Sequence, residues 1–103
     1  MTQQLWIKMA NLVFELEKKA AQAASAPGVQ RTVTRMQQVL EESGLLILNP
    51  LGEAFTETRT DVEATLVGAL HDKLRITEVL KPIVYINQEG KNTLVQRGVV
   101  LAG

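Results

Sequence analysis

Apolar residues in the first part of the chain recur every three or four positions, the spacing that places them on one face of an α-helix. Residues 3–24 contain neither glycine nor proline, and we predict one helix over this range. The apolar positions of its main stripe are Leu5, Met9, Leu12, Leu16, Ala20 and Ala23, and Trp6 and Val13 widen it. A helix with so broad an apolar face needs a partner that covers it.

A turn followed by a second helix is predicted next. The run Ser25-Ala26-Pro27-Gly28 combines a possible N-cap with proline and glycine, which favour a change of direction. Beyond it, Val29, Val33, Met36 and Leu40 again follow the helical spacing, and Gly44 stands where a left-handed C-cap is expected. The two helices therefore form a predicted helical hairpin.

The pattern changes to short, β-branched segments after residue 44. Residues 45–48 are a continuous apolar run, which favours a strand or an extended link into the turn at residues 49–52. Further strands are predicted at residues 63–67, 74–80, 83–87 and 93–101. Residues 88–91 are typical of a hairpin turn, and Pro82 is expected at a strand start or a sheet edge.

These elements predict an α+β fold with two parts: a helical hairpin at residues 1–44 and a small all-β head domain at residues 45–103. We expect the hairpin to pair with that of a second copy, giving a dimeric four-helix bundle. The alternative is that the apolar stripe packs on the chain's own sheet. The predicted dimer interface consists of Leu5, Met9, Leu12, Leu16, Val33, Met36 and Leu40.

Composition narrows the possible functions. The 103 residues are 46% hydrophobic, and eleven basic residues balance eleven acidic ones, which gives no overall field for nucleic acid or anionic membranes. Cysteine is absent, which excludes disulfides and sulfur-ligated metals and fits a reducing compartment. No apolar run reaches the roughly 18 residues of a membrane span, nor does the N-terminus resemble a secretory signal. We expect a soluble, cytoplasmic protein that binds neither nucleic acid nor membrane.

Candidate catalytic residues are few. A nucleophile with an imidazole base would have to use Ser25 or Ser43 with His71, yet both serines lie at predicted helix ends. His71 next to Asp72 is more typical of a solvated loop, and one histidine without cysteine does not supply a usual zinc site. We therefore predict a non-enzymatic protein without a metal or other cofactor, and keep a small enzyme using His71 and Asp72 as a minor alternative.

The order of the parts resembles the GrpE family, the nucleotide exchange factors of DnaK-type chaperones. The second helix ends in Val39-Leu40-Glu41-Glu42-Ser43-Gly44, and Asn49-Pro50-Leu51-Gly52-Glu53-Ala54-Phe55 follows the apolar run. Val62-Glu63-Ala64 takes the place of a His-Glu-Ala-like motif, with valine where the family usually has histidine. Residues 76–80 and 94–101 are similar to its last strands, so the resemblance spans about residues 5 to 102.

Two departures from the family pattern limit what carries over. Residues 56–61 replace a segment of the Asp-Pro-Asn type, which affects the partner contacts. The family's long N-terminal helix does not precede this sequence, either because the chain is truncated or because it belongs to a short member. The roles ascribed to that helix in substrate contact and temperature sensing are therefore not expected here.

The resemblance implies a homodimeric co-chaperone of protein folding and the stress response. One β head would bind the ATPase domain of a DnaK-type chaperone, open its nucleotide cleft and promote ADP release. By family position, the partner-binding residues would be Arg59, Thr60, Val62, Lys91, Asn92 and Leu101. The rival expectation is a GrpE-like structural or adaptor dimer without exchange activity, motivated by the altered segment from Phe55 to Val62.

Overall fold

A computed structural model of the chain describes residues 3–22, 27–69 and 71–103. Within these residues two helices precede six strands, which confirms the predicted α+β class. The helices are α1 (Gln3–Gln22) and α2 (Pro27–Glu42). The strands are β1 (Leu45–Leu48), β2 (Val62–Leu66), β3 (Ile76–Lys81), β4 (Ile83–Gln88), β5 (Lys91–Gln96) and β6 (Gly98–Ala102).

The start of α2 corrects the predicted turn. Pro27 and Gly28 belong to the helix, because proline at the first helical position has its φ already set and lacks only an N–H that would have no partner there. Ala23, Ser25 and Ala26, on which the end of the first stripe and the N-cap were predicted, lie outside the described residues.

Helix α2 ends as predicted, next to a glycine with a left-handed backbone conformation. Gly44 has φ +97°, and its amide donates to Glu41 O at 2.9 Å. The Gly44 carbonyl then accepts a hydrogen bond from the backbone N–H of Asn87 at 2.7 Å, which connects the helix end to β4. A Cβ at this position would lie 2.7 Å from Asn87 O, so both the backbone angle and the close approach require glycine here.

Gly44→Ala is expected to destabilise the fold more than Gly52→Ala does. Both glycines have positive φ, which costs roughly 1–2 kcal/mol for alanine. A Cβ on Gly52 meets nothing within 4 Å, whereas one on Gly44 collides with Asn87 O. Urea unfolding of both variants measures the difference, and equal losses of unfolding free energy would contradict the close approach to β4.

The strands form two three-stranded sheets. The first has the order β1-β4-β5 and is antiparallel; the second has the order β2-β6-β3, with β2 parallel and β3 antiparallel to the central β6. The β4–β5 hairpin turns through Glu89 and Gly90, both with positive φ, as the sequence predicted for residues 88–91.

The chain passes between the sheets at two single-residue corners. Pro82 separates β3 from β4, and Arg97 separates β5 from β6. The strand predicted over residues 93–101 is therefore wrong in one respect: it is two strands in different sheets. Gly98 makes this corner possible, because a Cβ there would lie 2.9 Å from Ile83 Cγ1 and 3.3 Å from Val62 Cγ1.

Two buried apolar clusters connect helices and sheets. The first cluster consists of Phe14, Val62, Ile76, Val79, Ile83 and Val100. The second consists of Ala10, Val13, Leu40, Leu45 and Val84, with Trp6 packed against it. Each cluster therefore contains residues from both predicted parts of the chain. The division into domains at residues 1–44 and 45–103 remains a prediction.

Candidate functional site

The helical hairpin leaves several large apolar side chains exposed. One face of α1 packs on the rest of the chain through Ala10, Val13, Phe14 and Ala20. The neighbouring apolar stripe of α1 points away from this core, and Leu12 in it is 63% exposed. We define the helical apolar face as Leu5, Met9, Leu12, Leu16, Val29, Met36 and Val39.

The described helices form an open groove within this face. It has a volume of about 300 Å³ and is lined by Met9, Val13, Thr32, Arg35, Met36, Val39 and Leu40. Its lining is apolar apart from Thr32 and Arg35. The two helices are also joined by a polar contact, in which the Gln37 side-chain amide donates to the Glu17 carboxylate. The groove is thus the part of the hairpin suited to apolar contact.

The structure sorts the seven predicted interface residues into two groups. Leu5, Leu12, Leu16 and Met36 are exposed, and Met9 is half-buried. Val33 and Leu40 are buried within the single chain. The assignment of Val33 and Leu40 to a dimer interface stays a prediction, and Leu40 already packs in the second apolar cluster of the single chain. Val39, which is 59% exposed, was not assigned to the interface.

Arg59 holds together the segment of residues 53–61. Its Nε and Nη2 donate to the two carboxylate oxygens of Asp61, both at 2.9 Å. Its Nη1 donates to Ala54 O at 3.1 Å and lies 3.2 Å from Glu53 Oε1. This bidentate contact leaves little of the guanidinium for a partner.

The same contact shifts the titration of Asp61. Hydrogen bonds from Arg59 hold the pKa of the Asp61 carboxyl below its ordinary value, against the opposing effect of burial. In the unfolded chain this carboxyl has a pKa of about 3.9. The pair therefore stabilises the fold above that pH, and its contribution is lost as the pH falls from there through the lower folded pKa.

The predicted partner-binding residues do not form one patch. Thr60 is exposed beside the corner at Gly98, whose amide donates to Asp61 O at 2.9 Å. Lys91 and Asn92 are exposed at the opposite end of β5, roughly 20 Å away for six residues of extended chain. Leu101 is half-buried within β6.

The prediction that the Val62 side chain contacts a partner does not agree with its burial. The side chain is 2% exposed and belongs to the first apolar cluster, so it packs the core and does not face a partner. Val62 is the first residue of β2, where an inward-pointing valine fills the interior.

Arg97 is a surface residue that the sequence reasoning left unassigned. Its Nη2 donates to Val62 O at 2.7 Å, and its Nη1 lies 3.1 Å from Glu63 Oε1. The side chain is about half exposed, at 46%, next to the Arg59 segment. Its position directly before Gly98 was the available signal, since a glycine inside a strand pattern often marks a bend.

The candidate catalytic residues show no assembled site in the part of the chain that the structure describes. His71 Nδ1 accepts from the Lys73 amide at 3.1 Å in an exposed loop. Ser43 Oγ donates to Val39 O at 3.0 Å at the end of α2. Over residues 3–22, 27–69 and 71–103, no group of three or more His, Cys, Asp or Glu side chains is placed to hold a metal ion.

A comparison of the chain with protein-family models, with curated proteins and with solved structures finds no match. Among the described residues, neither helix is long and apolar enough to cross a membrane.

Proposed function

We propose that this chain is a GrpE-like co-chaperone, a nucleotide exchange factor that acts as a homodimer on the ATPase domain of a DnaK-type chaperone. The observation that carries the proposal is the exposed helical apolar face on a hairpin that is joined to the two sheets. We call these sheets, within residues 45–103, the β unit. The order of elements also agrees with the resemblance, since a helical hairpin precedes a unit made of two small sheets.

A second copy of the chain is the proposed occupant of the helical apolar face. Large exposed apolar patches on soluble proteins mark interaction sites. In the helical apolar face, Leu12 and Leu16 of α1 and Met36 of α2 are exposed. Two such hairpins placed face to face make a four-helix bundle whose core is formed by these side chains.

The charges along α2 support a second copy in an antiparallel arrangement. Arg31, Arg35 and Glu42 are exposed and follow at spacings of four and seven residues, which places them in one row beside the apolar face. The row is basic toward the helix start and acidic toward its end. A two-fold axis perpendicular to the helices would reverse the second row, so Arg35 of one copy would meet Glu42 of the other.

The proposed mechanism is selective binding and requires no catalytic side chain. A β unit that prefers the open form of the ATPase domain shifts the chaperone toward that form by its differential affinity. Nucleotide affinity then falls by the same factor, because the two binding equilibria are linked. ADP would leave sooner for this reason.

The proposed contact surface of the β unit uses the exposed residues of the predicted set. These are Thr60 at the corner and Lys91 and Asn92 at the hairpin tip, with Arg97 added beside Thr60. The side-chain Nδ2 of Asn87 donates to Asn92 Oδ1 at 2.8 Å, which holds Asn92 against its own hairpin. Lys91 is therefore the better candidate for a direct contact at the tip.

Release of a fluorescent ADP analogue from DnaK-type ATPase domains tests the proposal. We expect the chain to increase the release rate at least tenfold, and Lys91→Ala to reduce the increase with little loss of stability, because Lys91 is exposed. Thr93→Ala, at another exposed position of β5, is the matched control. No acceleration with any DnaK-type chaperone of the same organism would exclude exchange activity.

The second candidate is a GrpE-like structural or adaptor dimer without exchange activity. The geometry of Arg59 favours it, because the guanidinium is occupied by Asp61, Glu53 and Ala54 O within the chain. A dimer that binds an ATPase domain without changing ADP release would support this candidate.

A further inference from the structure

Two amide side chains from distant parts of the chain bind each other reciprocally. Asn11 Nδ2 donates to Gln96 Oε1 at 3.0 Å, and Gln96 Nε2 donates to Asn11 Oδ1 at 2.8 Å. Both side chains are partly buried. Each amide thus uses a donor and an acceptor on the other, which fixes the relative orientation of their planes.

The amide pair lies where the two sheets join. Gln96 is the last residue of β5 and precedes the Arg97 corner, and its Nε2 also donates to Pro82 O at 2.8 Å at the other corner. Asn11 is the only member on a helix. The three hydrogen bonds therefore connect α1 to both of the single-residue corners between the sheets.

The same side of α1 carries two further contacts with the β unit. Phe14 enters the first apolar cluster, and Lys18 Nζ donates to Val79 O of β3 at 3.1 Å. Asn11, Phe14 and Lys18 are three and four residues apart, which is the spacing of one helix face. Polar contacts thus flank an apolar anchor on either side.

Apolar and polar contacts contribute differently to this junction. Apolar burial is nondirectional, so Phe14 alone restricts the distance of α1 from the sheets more than its rotation and sliding. Hydrogen bonds weaken steeply away from their preferred angle. The amide pair supplies the directional restraint at the end of β5.

We infer that Asn11 and Gln96 are positioning residues that set the direction in which the β unit projects from the helical hairpin. The consequence for exchange rests on the proposed function. A β unit held at a fixed angle can bind only the open form of the cleft, whereas a β unit with a variable angle can bind without opening the cleft. The inference about orientation does not depend on that function.

Spin-label distance measurements test the orientation directly. The chain has no cysteine, so Gln38→Cys on α2 and Thr65→Cys on β2 give two labels at exposed positions. Labelled chain is diluted into unlabelled chain to isolate distances within one copy. We expect a narrow distribution for the parent protein and a distribution at least twofold broader for Gln96→Met, which keeps side-chain length but removes the amide.

Asn11→Leu should broaden the distribution in the same way, because it removes the other half of the pair. Asn87→Leu, which removes an amide hydrogen bond within the β4–β5 hairpin, is the control and should leave the distribution unchanged. Unchanged distributions in both Asn11→Leu and Gln96→Met would overturn the inference, also if their melting temperatures fell.

The functional consequence has a separate measurement. If the parent protein accelerates ADP release, Gln96→Met should lower the maximal rate several-fold while the concentration for half-maximal effect stays within about twofold. Equal maximal rates would show that orientation does not limit exchange. An inactive parent protein would remove the proposed function, and the distance distributions would still decide whether the amide pair sets the orientation.

Discussion

Leu12→Glu is expected to convert the proposed dimer into a folded monomer. Leu12 is 63% exposed in the single chain, so the new carboxylate meets water in the monomer and leaves its fold intact. In a four-helix bundle the same carboxylate would lose its hydration, at a penalty of several kcal/mol per ion. The dimer should therefore weaken at least about a hundredfold, the equivalent of roughly 2.8 kcal/mol.

Sedimentation equilibrium measures the mass of the variant, and far-ultraviolet circular dichroism checks that its helices remain. Gln38→Glu introduces the same charge at an exposed position of α2 outside the helical apolar face, and it should remain dimeric. A folded monomer for the parent protein would contradict the dimer itself. A Leu12→Glu dimer of unchanged affinity would place the interface elsewhere.

The sequence predicted the breadth of the apolar stripe on α1 but not the share of it that the chain covers itself. Helical spacing groups Leu5, Leu12 and Leu16 in the same way as Val13 and Ala20. Only tertiary packing decides that the sheets cover Phe14 and leave Leu12 exposed. Packing on the chain's own sheets therefore applies to one part of the helix, and another part of the stripe stays exposed in the single chain.

The strands were predictable because β-branched segments alternate with glycine, proline and polar turns. The corner at Arg97 was missed although Gln96, Arg97 and Gly98 interrupt the apolar residues Val95 and Val99, because a corner of one residue is shorter than a recognisable turn. The close approach of Ile83 and Val62 to Gly98 joins positions distant in sequence. A single sequence contains no signal for such a contact.

The candidate site was predictable only in part. Exposure of Lys91 and Asn92 follows from their place at a hairpin turn, which is a local property. The burial of Val62 and the clamping of Arg59 by Asp61 depend on how residues 53–61 fold back toward Gly98. The Asn11–Gln96 pair spans 85 positions, which places it beyond any local pattern.

Phe14→Ala is expected to cause the largest loss of stability. Phe14 is 6% exposed and packs among Val62, Val79 and Val100 of the β unit. Removing a buried phenylalanine side chain costs about 3–5 kcal/mol, from lost apolar burial and from the cavity that remains. Domains of this kind have only about 5–15 kcal/mol of total stability, so the variant should be close to unfolding.

Urea unfolding measures this loss, and Leu80→Ala is the matched control. Leu80 is an exposed apolar residue of β3, so its truncation should change the unfolding free energy by less than about 1 kcal/mol. Similar losses for the two variants would contradict the burial of Phe14 in the β unit.

The shape of the Phe14→Ala transition also bears on the predicted domain division at residue 44. Phe14 lies on α1 but fills a cluster otherwise built from strands, and Trp6 packs against the second cluster with Leu45 and Val84. Helices and sheets that depend on shared clusters should unfold together. Trp6 fluorescence and far-ultraviolet circular dichroism should therefore give one midpoint, shifted equally by Phe14→Ala. Two separate midpoints would show that residues 1–44 and 45–103 are independent units.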